Sequence, residues 1–182
     1  LHLVGAGTSI TETVSAAGGH SLELKECDSN DRQWMPLASI PLSVQEPREV
    51  TGYQISFDAM LDNETPGTLS LSIRGKNSST KQKNLATVVV AKDGIRVNRC
   101  LLAPIVPGSW QHFDFHWTPT QASDRTVQVT ITTEQGDTWQ QPVPLEDYFF
   151  KQATELQFIS TGGPKTKAYI DNVVVTSNPK RT

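Results

Sequence analysis

"GYQISFDAML", residues 52–61, alternates without a break. Tyr53, Ile55, Phe57, Ala59 and Leu61 fall on one parity, and Gln54, Ser56 and Asp58 on the other. Successive side chains of a β-strand point to opposite faces, so the stretch reads as a strand with one buried and one wet face. The same period recurs on both sides of it. "GTLSLSIRG" sets Leu69, Leu71 and Ile73 against Ser70, Ser72 and Arg74, and "RTVQVTITT" sets Val127, Val129 and Ile131 against Gln128, Thr130 and Thr132. "SLELKEC", "NLATVVVAK", "ELQFIS" and "AYIDNVVVTS" add further strands, the last apolar on both parities from Val173 to Val175, as suits a central strand.

Turn signals punctuate these runs: "LDNETPG", "KDG", "VPG", "EQGD" and "TGGP". Asp93-Gly94, between "TVVVAK" and "IRV", predicts a hairpin. "PLEDYFFKQATEL" comes nearest to a helical pattern and predicts one short helix at 145–153. Residues 28–49 contain three prolines, lack alternation and read as a long loop or a strand pair. The expectation is one all-β domain over residues 1–182, a two-sheet antiparallel β-sandwich.

The 182 residues suffice for one well-buried core, and no apolar run approaches the length of a membrane span. The net charge of −3 hides an asymmetry. Residues 1–64 carry ten acidic and three basic side chains, whereas residues 65–99 carry seven basic ones (Arg74, Lys76, Lys81, Lys83, Lys92, Arg96, Arg99) against Asp93 alone. Either this block blunts an edge strand against edge-to-edge pairing, or it attracts an anionic partner. Net acidity and the lack of aromatic–basic interleaving argue against nucleic acid. Cys27 and Cys100 lack the spacing of a zinc site; they form at most one bridge, if their separation permits. A start at Leu1 without a leader pattern suggests a mature protein or one module of a longer chain.

"WQHFDFHW", residues 110–117, carries the most chemistry. On a strand Trp110, His112, Asp114 and His116 share one face, and Phe113, Phe115 and Trp117 the other. The first set suits a metal, a catalytic centre, a sugar surface or an ordinary solvated face. For a metal, three ligands spaced roughly 7 Å apart along one strand would all have to lean together. A sugar surface asks less: polar partners for hydroxyls and an aromatic ring to stack on. Trp110, His112, Asp114, His116, Arg74 and Gln128 are therefore the candidate ligand-binding residues, with Trp34 and Trp139 as further aromatic candidates; the parity of Trp139 matches Val143 and Leu145, which also suits the core. No catalytic residue is assigned. "ECDSND" offers Glu26, Asp28 and Asp31, but its Ser-Asn-Asp run signals a turn, and no nucleophile elbow or phosphate loop is present.

"GGHSLELKECD", "TGYQISFDAML", "DGIRV", "GSWQHFDFHW" and "AYIDNVVVTS", in this order, give the chain from about residue 18 to 176 a second reading. It resembles the concanavalin-A-like, laminin-G-like jelly-roll domains found in lectins, secreted polysaccharide-processing proteins and adhesion modules. "ECDSND" departs in its third carboxylate from the Glu-x-Asp-x-x-Glu of laminarinase-type sandwich glycosidases. "YIDNVVV" also looks like the closing strand of related carbohydrate-binding modules. That likeness implies a possible structural calcium (Ca2+) at Asp171, with Glu12, Glu23 or Glu26 contributing. The resemblance implies a secreted or cell-surface setting beside other domains of a parent chain, with no membrane insertion. The function expected is non-catalytic binding of a polysaccharide or glycan, acidic or sulfated given the basic block. An adhesion or spacer module and a polysaccharide lyase or hydrolase are the alternatives.

Overall fold

A computed structural model describes residues 2–4, 7–12, 14–16, 18–27, 36–42, 50–77, 82–118, 126–146, 150–163 and 165–179. Fourteen strands follow in order: β1 His2–Val4, β2 Thr8–Thr11, β3 Ser21–Lys25, β4 Leu37–Pro41, β5 Val50–Leu61, β6 Thr68–Asn77, β7 Gln82–Ala91, β8 Gly94–Val97, β9 Cys100–Ala103, β10 Gln111–Trp117, β11 Thr126–Thr133, β12 Thr138–Pro144, β13 Phe150–Thr161 and β14 Lys167–Pro179. They form two seven-stranded sheets. The first runs β1-β4-β13-β6-β7-β8-β9 and the second β12-β11-β10-β5-β14-β3-β2. All strand pairs are antiparallel, so the molecule is an all-β two-sheet sandwich.

Alternation builds the core as the sequence predicts. Ile55, Phe57 and Ala59 of β5, Phe113 and Phe115 of β10, and Val127, Val129 and Ile131 of β11 are buried from the second sheet. Leu69, Leu71 and Ile73 of β6, Val88 and Val90 of β7, and Leu156 and Phe158 of β13 are buried from the first. Phe57 stacks on Phe113 at 4.8 Å between ring centres and meets Phe158 of the other sheet edge-on at 5.8 Å. That contact ties the two layers through the offset and edge geometries aromatic rings prefer. Trp139 packs against the core, as its parity implies.

Two local expectations need correction. No helix forms among the described residues of 145–153: Leu145 and Glu146 are not helical, β13 starts at Phe150, and 147–149 lie outside the described residues. Pairing of Phe150–Ala153 with β6 overrides the local pattern. Residues 28–49 contain β4, whose Ala38 and Ser39 are buried. Residues 28–35, including Asp28, Asp31 and Trp34, and 43–49 lie outside the described residues. The Asp93-Gly94 hairpin is present, β7 and β8 pairing at Ala91 and Gly94. Cys27 and Cys100 are both free thiols.

Candidate functional site

Sheet membership sorts the predicted ligand residues. β5, β10 and β11 are neighbours in the second sheet, so His112, Asp114 and His116 share its outer face with Gln54, Ser56 and Asp58, and Gln128 lies directly across from His116. Trp110 sits half-buried just before β10. Arg74 does not belong to this group: β6 lies in the first sheet, and its outward side chains face away from the histidines. Alternation along one strand fixes which side chains share a face, but not which sheet the strand joins.

The histidine row is paired within itself. His112 Nδ1 lies 2.7 Å from Asp58, whose other oxygen accepts from the Asn172 amide at 2.6 Å. His116 Nε2 lies 3.1 Å from Asp114, which also accepts from Gln54 at 3.2 Å. Each carboxylate thus holds one imidazole and one amide, and the imidazoles themselves are about half exposed, at 48% and 54%. Among the described residues no group of three or more His, Cys, Asp or Glu is placed to hold a metal.

Asp171 is neighbour to Asp58 across β14 and β5. Its carboxylate accepts from the Ser15 hydroxyl at 2.8 Å, the Ala16 N–H at 2.9 Å and the Asn172 N–H at 2.7 Å. These three donors leave the carboxylate one further acceptor position. The other residues of the implied set have partners too. Glu12 lies 2.8 Å from His20, and Glu26 accepts from the Gly163 N–H at 2.9 Å.

The first sheet's outer face is more sheltered. Register aligns its outward residues in rows across five strands: Arg96, Val89, Ser70, Ile159 and Leu37; then Thr87, Ser72, Gln157 and Ser39; then Asn84, Arg74, Glu155 and Pro41. All but Pro41 are half-buried or buried, unlike the exposed His112, His116 and Gln128. Glu155 is the hub, accepting from Ser39 at 2.7 Å and from Arg74 and Gln157 at 3.4 Å each. The basic block also gathers on this sheet. Arg74, Lys76, Lys83 and Arg96 sit on β6, β7 and β8, and Lys92 and Arg99 in the turns between strands. β9 ends the strand order, but β8 covers β7 only from Val88 to Ala91, so Lys83 stands on an open strand edge and edge protection accounts for part of the block.

At the β7–β8 side the rows run into a cleft of about 650 Å³ lined by Thr87, Val89, Arg96, Asn98, Arg99, Pro144, Leu145 and Glu146. Its size falls in the usual range for ligand sites. Thr87 donates its hydroxyl to Glu146 at 2.7 Å, and Arg96 grips Asp93 through two bonds of 2.9 Å. The guanidinium holds the Asp93 carboxyl below its usual range. Of this cleft the sequence reading marked only Arg96 and Arg99, through their charge. Asn98 had a signal as a turn-former between "IRV" and "CLLA", whereas nothing local marks Pro144 or Glu146, which arrive from the other sheet.

No family model matches the chain, and no curated protein matches it by sequence. Solved structures do match in shape. An alginate lyase from Aplysia kurodai aligns with TM-score 0.63 and 12% identity, over 98% of this chain and 90% of that one. An endo-β-1,4-glucuronan lyase from the fungus Trichoderma reesei aligns at 0.61 and 11%, over 97% and 90%. Peanut lectin aligns at 0.57 and 16%, over 97% and 91%. The fold is thus the concanavalin-A-like β-sandwich, shared by lyases and lectins alike.

Proposed function

We propose that the protein binds a polysaccharide chain, without cleaving it, along the sheltered outer face of the first sheet. One observation carries this reading: two rows of mostly half-buried hydrogen-bonding side chains, Thr87-Ser72-Gln157-Ser39 and Asn84-Arg74-Glu155, cross β7, β6 and β13 towards β4 and adjoin the 650 Å³ cleft at Thr87. Gln157, Ser72, Thr87 and Arg74 offer donors and acceptors at the spacing of neighbouring strands, and sugar hydroxyls need both. The lyases and the lectin that share the fold support a carbohydrate ligand. The basic block on this sheet favours an acidic one. Binding rather than cleavage is favoured because, among the described residues lining the cleft, the Glu146 carboxylate is engaged by the Thr87 hydroxyl and the Arg96 guanidinium by Asp93, while His112 and His116 stand on the opposite face.

A second reading places the ligand on the histidine row, where Trp110, His112, Asp114, His116 and Gln128 do lie together. Affinity electrophoresis through gels of neutral, uronate and sulfated polysaccharides separates the two. The proposal expects retardation in an acidic gel, weakened by Gln157→Ala and by added salt and indifferent to His112→Ala. Loss of retardation with His112→Ala alone moves the site to the other face. No retardation in any gel ends the polysaccharide reading.

A further inference from the structure

We infer that the cleft beside the β8–β9 turn is a subsite for a sugar carboxylate, with the Arg99 guanidinium as its anchor. The inference rests on the polysaccharide reading and names the chemistry recognised at one end of the face.

The turn itself is the first observation. Val97 and Cys100 pair across a two-residue hairpin whose central residues, Asn98 and Arg99, have φ of 47° and 73°. A type I′ turn needs positive φ at both positions and normally takes glycine at the second. Arginine there costs backbone strain, which persists only where the surroundings over-determine the conformation. They do so here through Asn98. Its carbonyl oxygen accepts the Thr87 N–H at 2.7 Å, its amide donates to Pro144 at 2.7 Å and to Leu85 at 3.4 Å, and its own N–H reaches Thr87 O at 2.9 Å. The turn is bolted to β7 and to the chain leaving β12. A strained, rigid turn then presents a long cationic side chain at the cleft.

Charge accounting is the second. Arg96 is already neutralised by Asp93 through a two-pronged pair. Arg99, exposed, has no ion-pair partner among the described residues. It is the cation the cleft has to offer, and the planar fork of a guanidinium matches a carboxylate. Glu146 lines the same cleft and repels a bare inorganic anion. It accepts hydroxyls well, however, and Thr87 beside it completes a donor–acceptor pair. A group that brings a carboxylate and hydroxyls together, as a hexuronic acid residue does, satisfies both walls.

The test uses the whole chain, labelled with 15N and titrated with a hexuronate trisaccharide, the corresponding neutral trisaccharide and inorganic sulfate. Shift changes at Thr87, Asn98, Arg99 and Glu146 with the uronate are expected, and weaker ones with the other two. Arg99→Gly removes charge and strain together: it should melt no lower than the parent while uronate affinity falls at least about tenfold. Arg99→Lys, which keeps the charge but not the fork, should recover only part of the affinity lost in Arg99→Gly. Uronate binding unchanged in Arg99→Gly, or sulfate binding as tightly as uronate, overturns the inference. If Gln157→Ala still weakens retardation in polysaccharide gels, the broader reading survives that failure; if no polysaccharide or trisaccharide binds, both fall.

Discussion

Tyr53 carries its hydroxyl into the core without a hydrogen-bond partner among the described residues, and burial pushes its pKa up. The ring stacks on Trp117 at 5.3 Å, so the hydrocarbon part serves packing while the oxygen serves nothing visible. Removing a buried, unpaired hydroxyl relieves a desolvation cost. Tyr53→Phe is therefore expected to stabilise the fold by up to about 1 kcal/mol in urea denaturation. Tyr169 has a different consequence. Burial first, then Glu23 and Asp62, push its pKa from the ordinary 10 up to about 12. Between these values the unfolded chain loses the phenolic proton while the folded chain keeps it, so stability falls as pH rises through that window and not below it. A Tyr169→Phe variant melted at pH 9 and pH 11.5 should lose part of the alkaline slope.

At the scale of elements, the hairpins show what the sequence discloses. Asp93-Gly94 carries a familiar turn signature, and the structure has the hairpin. Asn98-Arg99 is a two-residue turn of the same length with a weaker signature, because arginine is not a residue that turn chemistry selects. Its geometry is imposed from outside, by bonds to Thr87, Leu85 and Pro144, residues 11 to 46 positions away. Asn98→Ala strips these three side-chain bonds and leaves the half-buried Thr87 N–H without its acceptor, while Thr87 O keeps the Asn98 N–H and Leu85 O keeps the Glu146 N–H. It should cost about 2–3 kcal/mol, measured by chemical denaturation, and loosen Glu146 as well. β13 teaches the same lesson. "FKQATEL" has no clean alternation, and only the two flanking strands make it extended. Alternation announced β5, β6, β10 and β11 because each buries one face by itself.

For the whole molecule, the sandwich was legible but the assignment of strands to sheets was not. Parity put Ser70, Ser72 and Arg74 outward, as it did His112 and His116, yet the sheet order sends the two groups to opposite sides. Pairing is set by long-range contacts, which no local pattern encodes. The candidate site inherited that ambiguity: its histidine row was readable, and the sheltered face and cleft needed the third dimension. The implied calcium is also a whole-molecule question, since Asp171 joins the segment at Ser15 and Ala16 to β14. With the carboxylate acting as a loop anchor, thermal melts in calcium and in chelator should coincide. A rise in Tm with calcium would instead make it a ligand.

The two open flanks of the sandwich differ in how they are fastened. On one, a single short passage of chain supplies the outermost strand of both sheets, β1 against β4 and β2 against β3. Between them Gly7 turns at φ 85°, where an added Cβ would lie 2.0 Å from the Lys25 carbonyl. On the other flank β9 and β12 belong to separate hairpins. Amide exchange should register the contrast. The N–H groups of β1 and β2 are expected to trade hydrogen for deuterium in one shared opening, whereas β9 and β12 let go at rates of their own. Gly7→Ala, by spoiling the hinge between layers, should quicken exchange on both sheets at once, so that a single methyl group frays two edges.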